Sequence, residues 1–204
     1  IKTHNWCLPM DISGGELNAI HYVSEISSAQ VKSCVLLAGL FACGITKFSE
    51  PVKSRDHTER MLKNFGADIS VEGDTVSVKG CPSLSSFDVT VPGDISAAAF
   101  FIVGALITRG SNLVIKNVGI NPTRTGVLNV LKRMGGNIVI ENTRVLAGEP
   151  VADIIVRSSD LKATEITGAE VPFMIDEIPV IAVAATQAMG ETRITGASEL
   201  RVKE

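Results

Sequence analysis

The chain has 204 residues, 45% hydrophobic and 20% charged, with a net charge of −3 at pH 7. That balance excludes a disordered chain and supports a sizeable core, and there is no basic block of the kind that binds nucleic acid. The longest apolar stretches, residues 35–43, 97–107 and 180–185, fall short of the roughly 18 residues a membrane span needs, and no signal peptide opens the chain.

Taken in order, the elements predict a repeated unit. An apolar helix over residues 29–43, stopped by Gly44, precedes a strand near 45–48. A second helix over 56–65 follows, with Asp56 and Glu59 at capping-box spacing and Met61, Leu62 and Phe65 as its apolar stripe. Strands 67–72 and 75–79 then flank a Gly73-Asp74 turn. A leading strand over 87–91 opens the second unit. It continues with an apolar helix over 97–108 before Gly110, a strand over 112–117 and an amphipathic helix over 124–134. Strands 137–141 and 144–147 close it, and a third unit begins with a helix over 177–189, Gly190 and a strand over 192–195. The stop glycines lie 66 and 80 residues apart, and each fits a helix C-cap. The first helix of each unit is apolar almost all round and is expected to be buried on every side. No single unit can bury both kinds of helix, so several are expected to pack with first helices inside and sheets outside.

Four cysteines, Cys7, Cys34, Cys43 and Cys81, are far apart and form no CxxC pair. They are expected to be reduced structural thiols, with Cys34 and Cys43 in an apolar helical run where buried thiols are common. His4 and Cys7 have ligand spacing but no second pair, so no metal site is expected.

The chemistry concentrates at the helix starts. Asp94 and Ser96, after Pro92-Gly93, read as caps that satisfy orphan backbone N–H groups. Ser27, Ser28, Gln30 and Lys32 offer more than a cap needs, and a helix N-terminus also favours phosphate or carboxylate. A plain cap and an anion site both remain open there. Asp176, followed by Glu177 and Pro179, starts the third apolar helix. Glu204 follows the strand of the same unit, beside Lys203, and two carboxylates near a lysine suit general acid/base work. The chain ends within Arg201-Val202-Lys203-Glu204, which reads as a cut through the site of a larger enzyme.

SSAQVKSCVLLAGL, SRDHTERML, VPGDISAAAFF, MIDEIPVIAVAA and LRVKE resemble the 5-enolpyruvylshikimate-3-phosphate synthase family, over essentially the whole chain. The resemblance implies an α/β (α+β) fold, an inside-out barrel of repeated βαβαββ units in two domains with the cleft between them. Residues 1–90 would be the later part of the first domain and 91–204 the earlier part of the second, meeting near residues 90–93. It also implies transfer of the enolpyruvyl group of phosphoenolpyruvate to the 5-hydroxyl of shikimate 3-phosphate, with release of phosphate and no metal or organic cofactor. By motif, Ser28, Ala29 and Gln30 look like ligands of shikimate 3-phosphate, with Gln30 also reaching phosphoenolpyruvate. Some members have Ser where this chain has Ala29, so that contact is expected through the backbone. Arg55 resembles a ligand of the shikimate phosphate, Asp176 the proton acceptor that grips the shikimate hydroxyls, Lys203 a further ligand and Glu204 a proton-transfer partner.

Other substrate-binding segments of the family, including its glycine-rich phosphoenolpyruvate loop, are not in this sequence, so these 204 residues alone are expected to show no turnover. The whole protein is expected to be a cytoplasmic monomer, or plastid-located in a plant, with no nucleic-acid or membrane partner. Two rivals stand beside this reading. One is the sister family that transfers enolpyruvyl to UDP-N-acetylglucosamine, whose reactive loop cysteine has no counterpart here. The other is a non-catalytic repeat scaffold, in which Ser28, Asp176 and Glu204 are only caps and surface charge.

Overall fold

Strands and helices are interspersed along the computed structural model, which describes residues 2–5 and 7–203. They group into two compact units: residues up to Lys53 with Phe65–Ser85, and Ser54–Asn64 with the chain from Ser86 onward.

In the first unit, β1 (Lys2–His4) and β2 (Cys7–Asp11) pair antiparallel. Then come β3 (Leu17–Asn18), β4 (His21–Val23), α1 (Ala29–Gly39), β5 (Ala42–Cys43), β6 (Ile45–Ser49), β7 (Ile69–Glu72) and β8 (Thr75–Lys79). The main sheet has the order β4-β6-β8-β7, with β4 parallel to β6 and the other neighbours antiparallel. Phe48, Val76 and Val78 point inward from it and are buried with Leu36 of α1. Tyr22 stacks on Phe48 across the parallel pair, ring centroids 5.8 Å apart. Beyond the β6–β8 ladder the backbones nearly touch, because Gly80 donates to the Gly44 carbonyl at 2.9 Å. A Cβ on Gly80 would lie 1.7 Å from the Ala42 carbonyl oxygen. Since the obstacle is backbone, Gly80→Ala is expected to destabilise by about 3 kcal/mol or more, the upper end of overpacking costs. Urea unfolding measures this; a loss under about 1 kcal/mol would contradict the close approach.

The second unit holds α2 (His57–Asn64), α3 (Ile95–Ile107), β9 (Asn112–Gly119), α4 (Gly126–Arg133), β10 (Asn137–Leu146), β11 (Glu149–Arg157) and β12 (Glu165–Ile166). Short 3₁₀ turns at Val171–Phe173 and Ile175–Glu177 lead into α5 (Ile178–Thr186), followed by β13 (Arg193–Ile194) and α6 (Leu200–Lys203). The sheet order is β10-β11-β9, all antiparallel, and β12 pairs with β13 in parallel. Its core joins Ile102, Val103 and Leu106 of α3 to Val127, Leu128, Val130 and Leu131 of α4, Ile154 and Val156 of β11, and Ile181 of α5. The amphipathic stripe expected for α4 is therefore the stripe that packs.

Several expectations need correction. The apolar run over 29–43 is not one helix: α1 ends at Gly39, and Ala42–Cys43 leaves it to pair with β3. Gly44, Gly110 and Gly190 take positive φ as expected, yet they lie beyond the helix ends, whose C-cap residues are Leu40, Thr108 and Gln187. The expected hairpin turn near residues 142–143 is a bulge, with Asn142 at φ 52° and a register shift between Glu141 and Arg144. The turn lies at Ala147 and Gly148, both at positive φ as a tight hairpin with right-handed twist requires, and the long returning strand β11 was not anticipated. Residues 87–91 form no strand.

All four cysteines are free, but all are exposed: Cys34 lies on α1, Cys7 and Cys43 lie in strands and Cys81 follows β8. All-round burial of the first helices is not seen either. Phe100 and Phe101 of α3 are 64% and 66% exposed, and Leu37 of α1 and Val183 of α5 about half, so their apolar faces exceed what this chain covers.

Candidate active site

In the first unit the start of α1 is fastened to the segment that follows β6. Ser28 is the N-cap: its φ and ψ are extended, and its Oγ accepts from the Val31 N–H at 3.3 Å. The Ser27 Oγ accepts from the Val52 N–H at 3.0 Å. Lys32, expected among the anion-handling groups, is instead fully buried, and its Nζ donates to Glu50 Oε1 at 3.0 Å. Both serines and Lys32 thus hold the helix start in place, Ala29 is half-buried and Gln30 is exposed.

In the second unit Asp176 and Arg55 form an ion pair, each side chain about 30% exposed. Asp176 is not the cap of α5: it sits in the middle of the 3₁₀ turn Ile175–Glu177, and Pro179 is accommodated in the first turn of the helix behind it. The adjacent Glu177 faces inward and is buried. It accepts a short hydrogen bond from Ser96 Oγ, which in turn accepts from Arg124. Arg124 also lies 3.3 Å from Asp94 and 3.8 Å from Glu177. Asp94 does cap α3 as expected, accepting from the N–H groups of Ser96 at 3.2 Å and Ala97 at 3.3 Å.

Burial pushes the Glu177 carboxyl above the ordinary glutamate value and neighbouring Asp176 adds to this, while Ser96, Arg124 and Arg55 pull the other way. The folded chain therefore holds this proton to higher pH than the unfolded chain. The associated stability is present below the unfolded value, about 4.3, and is lost as pH rises through the folded value. Glu177→Gln removes that titration, so thermal unfolding of the variant is expected to fall less steeply than wild type as pH rises through this window. Parallel curves would contradict the assignment.

A second polar cluster anchors the segment that carries Arg55. Asp56 Oδ1 accepts from Asn121 Nδ2 at 2.7 Å and from Arg60 Nε at 2.9 Å. Asn121 Nδ2 also donates to Glu149 Oε2 at 3.0 Å, and Glu149 Oε1 pairs with His57 Nδ1 at 2.8 Å. Asn121 Oδ1 accepts from the Thr123 N–H at 2.9 Å and from its hydroxyl at 2.7 Å. Asn121 is buried and fully engaged, so Asn121→Ala is expected to cost about 1–3 kcal/mol for each partner left unsatisfied. Thermal unfolding of the variant checks this; an unchanged melting temperature would contradict it.

Of the residues singled out from sequence, Ser28, Ala29 and Gln30 thus lie on the first unit, and Arg55 and Asp176 meet on the second. Lys203 lies in α6, and only its backbone is described. Glu204 lies outside the described residues. Sequence reasoning missed Asn121, Arg124, Glu149 and the inward turn of Glu177. One signal was available: Arg55 and Arg124 each stand two residues before the second helix of their sequence repeat, α2 and α4. Among the described residues, no group of three or more His, Cys, Asp or Glu side chains could hold a metal ion, and no helix is long and apolar enough to cross a membrane.

Comparison with known proteins places the chain. Residues 1–204 match the profile of EPSP synthase (3-phosphoshikimate 1-carboxyvinyltransferase). The 3-phosphoshikimate 1-carboxyvinyltransferase of Endomicrobium trichonymphae is 56% identical over 205 aligned positions, covering 100% of this chain and 48% of that protein. The same-named protein of Desulforamulus reducens is 54% identical, covering 100% and 47%. The chain therefore spans about half the length of the curated relatives it matches. Among solved structures, EPSP synthase from Acinetobacter baumannii superposes with a TM-score of 0.87 at 51% identity, over 93% of this chain and 43% of that one. The enolpyruvyl transferase NikO from Streptomyces tendae, 22% identical with a TM-score of 0.63 over 78% of this chain and 37% of that one, shares the fold. With its α/β enolpyruvyl transferase fold and a profile match along its whole length, the chain belongs to the EPSP synthase family.

Proposed function

We propose that this chain supplies part of the active site of a 3-phosphoshikimate 1-carboxyvinyltransferase in the chorismate branch of aromatic amino-acid biosynthesis. The reaction transfers the enolpyruvyl group of phosphoenolpyruvate to the 5-hydroxyl of shikimate 3-phosphate. The observation that carries the reading is Asp176, a partly exposed carboxylate held by Arg55 on the 3₁₀ turn that leads into α5, in a chain of this family. In the first step the 5-hydroxyl gives its proton to a base and its oxygen bonds to C2 of phosphoenolpyruvate, while an acid protonates C3 to a methyl group. In the second step the C3 proton is removed and the C2–O bond to phosphate breaks, which restores the double bond on the new ether. Both steps move protons at fixed positions and need no redox cofactor.

Asp176 is assigned to the shikimate hydroxyls as proton acceptor, and Glu204 to the partner proton transfer. Arg55 is assigned to the shikimate phosphate, shared with Asp176, and Lys203 to the same substrate. Ser28 and the Ala29 backbone are assigned to shikimate 3-phosphate, and Gln30 to both substrates. The domain reading is part of the proposal: residues up to about 90, including the Ser54–Asn64 segment that groups with the later chain, belong to one βαβαββ-repeat domain and later residues to a second. The whole protein is proposed to act as a cytoplasmic monomer without nucleic-acid or membrane partners. The test is phosphate release by the full-length protein from phosphoenolpyruvate, with shikimate 3-phosphate or UDP-N-acetylglucosamine as acceptor. Release only with shikimate 3-phosphate is expected. Release with the nucleotide sugar moves the protein to the sister activity, and release with neither removes the enzyme reading.

A further inference from the structure

Asp176 and Glu177 are adjacent, turn in opposite directions and are each met by an arginine from an equivalent place in the repeat, Arg55 and Arg124. The two arginines share one anchor. Asn121 accepts the Arg124 N–H on its carbonyl at 2.8 Å, and its side chain donates to Asp56, the residue after Arg55. Glu177 is 2% exposed and joined to Ser96 and Arg124, so this side chain anchors the inner face of the turn whose outer face carries Asp176. A free 3₁₀ turn of three residues has poor hydrogen-bond geometry and little intrinsic persistence. Here it is fixed from inside.

We propose that Arg124 is a positioning residue for Asp176: by holding Glu177 against Ser96 it locks the Ile175–Glu177 turn and so aims the Asp176 carboxylate at Arg55. Arg124 itself need touch no substrate. Its effect on turnover rests on the enolpyruvyl-transfer reading; its effect on the turn does not. The mechanism also explains the burial of a second carboxyl beside the one assigned to chemistry. Glu177 is a tether, and a tether must be desolvated and directed to serve as one.

The experiment uses the full-length protein with Arg124→Met, Arg124→Lys and the milder Ser96→Ala. It combines hydrogen exchange of the peptide around residues 174–178 with steady-state phosphate release. Arg124→Met is expected to speed exchange in that peptide while the interior of α3 keeps its protection. It is also expected to lower kcat by up to about 10²-fold, the effect of a misplacement near 1 Å, with KM for both substrates changed less than about twofold. Lys, which keeps the charge without the fork, is expected to restore part of both, and Ser96→Ala to reproduce both weakly. Unchanged exchange around 174–178 overturns the proposal. So does faster exchange across the whole unit in both Arg124→Met and Ser96→Ala, which would make Arg124 a general stabiliser. A wild-type kcat in Arg124→Met, in a protein whose wild type is active, overturns the link to turnover. Faster local exchange in a protein that releases no phosphate at all would leave the tether standing and count against the functional reading alone.

Discussion

Asp176→Asn in the full-length protein is expected to lower kcat for phosphate release by about 10²–10⁴-fold, the contribution of a positioned general acid or base. Asparagine keeps the size of the side chain and its acceptor oxygen but cannot take the proton of the acceptor hydroxyl. The pair with Arg55 is about 30% exposed on both sides, so its loss is expected to cost stability little, within the roughly 0–1 kcal/mol of solvent-screened pairs. Activity and stability should therefore separate: a large fall in kcat with a melting temperature near that of wild type. The scaffold reading predicts the reverse, tolerance of the substitution without functional loss. A variant within about threefold of wild-type kcat would remove Asp176 from the proton-transfer step.

The largest stability effect is expected at Lys32. Its ammonium and the Glu50 carboxylate are both essentially buried, 3.0 Å apart. Two charges taken out of water cost several kcal/mol each, and their attraction and hydrogen bonding offset this only while both are present. Lys32→Met removes the cation that Glu50 faces and is expected to cost about 3–5 kcal/mol in urea unfolding. The double variant Lys32→Met with Glu50→Leu replaces the pair by apolar groups and is expected to recover most of that loss. A single variant as stable as wild type, or a double variant less stable than the single, would contradict the buried pair. Lys32 lies one turn after Ser28, the N-cap of α1, so under the proposed function the single variant is also expected to weaken binding of shikimate 3-phosphate.

The parts legible in the sequence were those set by local rules. The Asp94 cap, the α4 stripe and the strands on either side of Gly73-Asp74 follow from capping, 3.6-residue periodicity and turn chemistry. Errors arose where tertiary pairing overrode local pattern. Residues 35–43 carry a continuous apolar run, and nothing within it announces that Ala42 and Cys43 belong to a strand paired with Leu17 and Asn18. Asn142 is a good turn residue that serves as a bulge, while the unremarkable Ala147 makes the turn. At the site, the motifs marked Arg55 and Asp176, which meet. Lys32 and Arg124 show why the rest stayed hidden: a basic side chain near a helix start reads the same whether it faces a ligand or a buried carboxylate. Burial alone separates the two cases, and burial is a property of the folded chain.

The most direct test of the central claim is a crystal structure of the full-length protein with shikimate 3-phosphate. The account predicts a shikimate hydroxyl within hydrogen-bond distance of the Asp176 carboxylate, about 2.6–3.2 Å, with the phosphate reached by Arg55. A bound substrate whose hydroxyls lie away from Asp176, with the Arg55–Asp176 pair left intact and untouched, would contradict it.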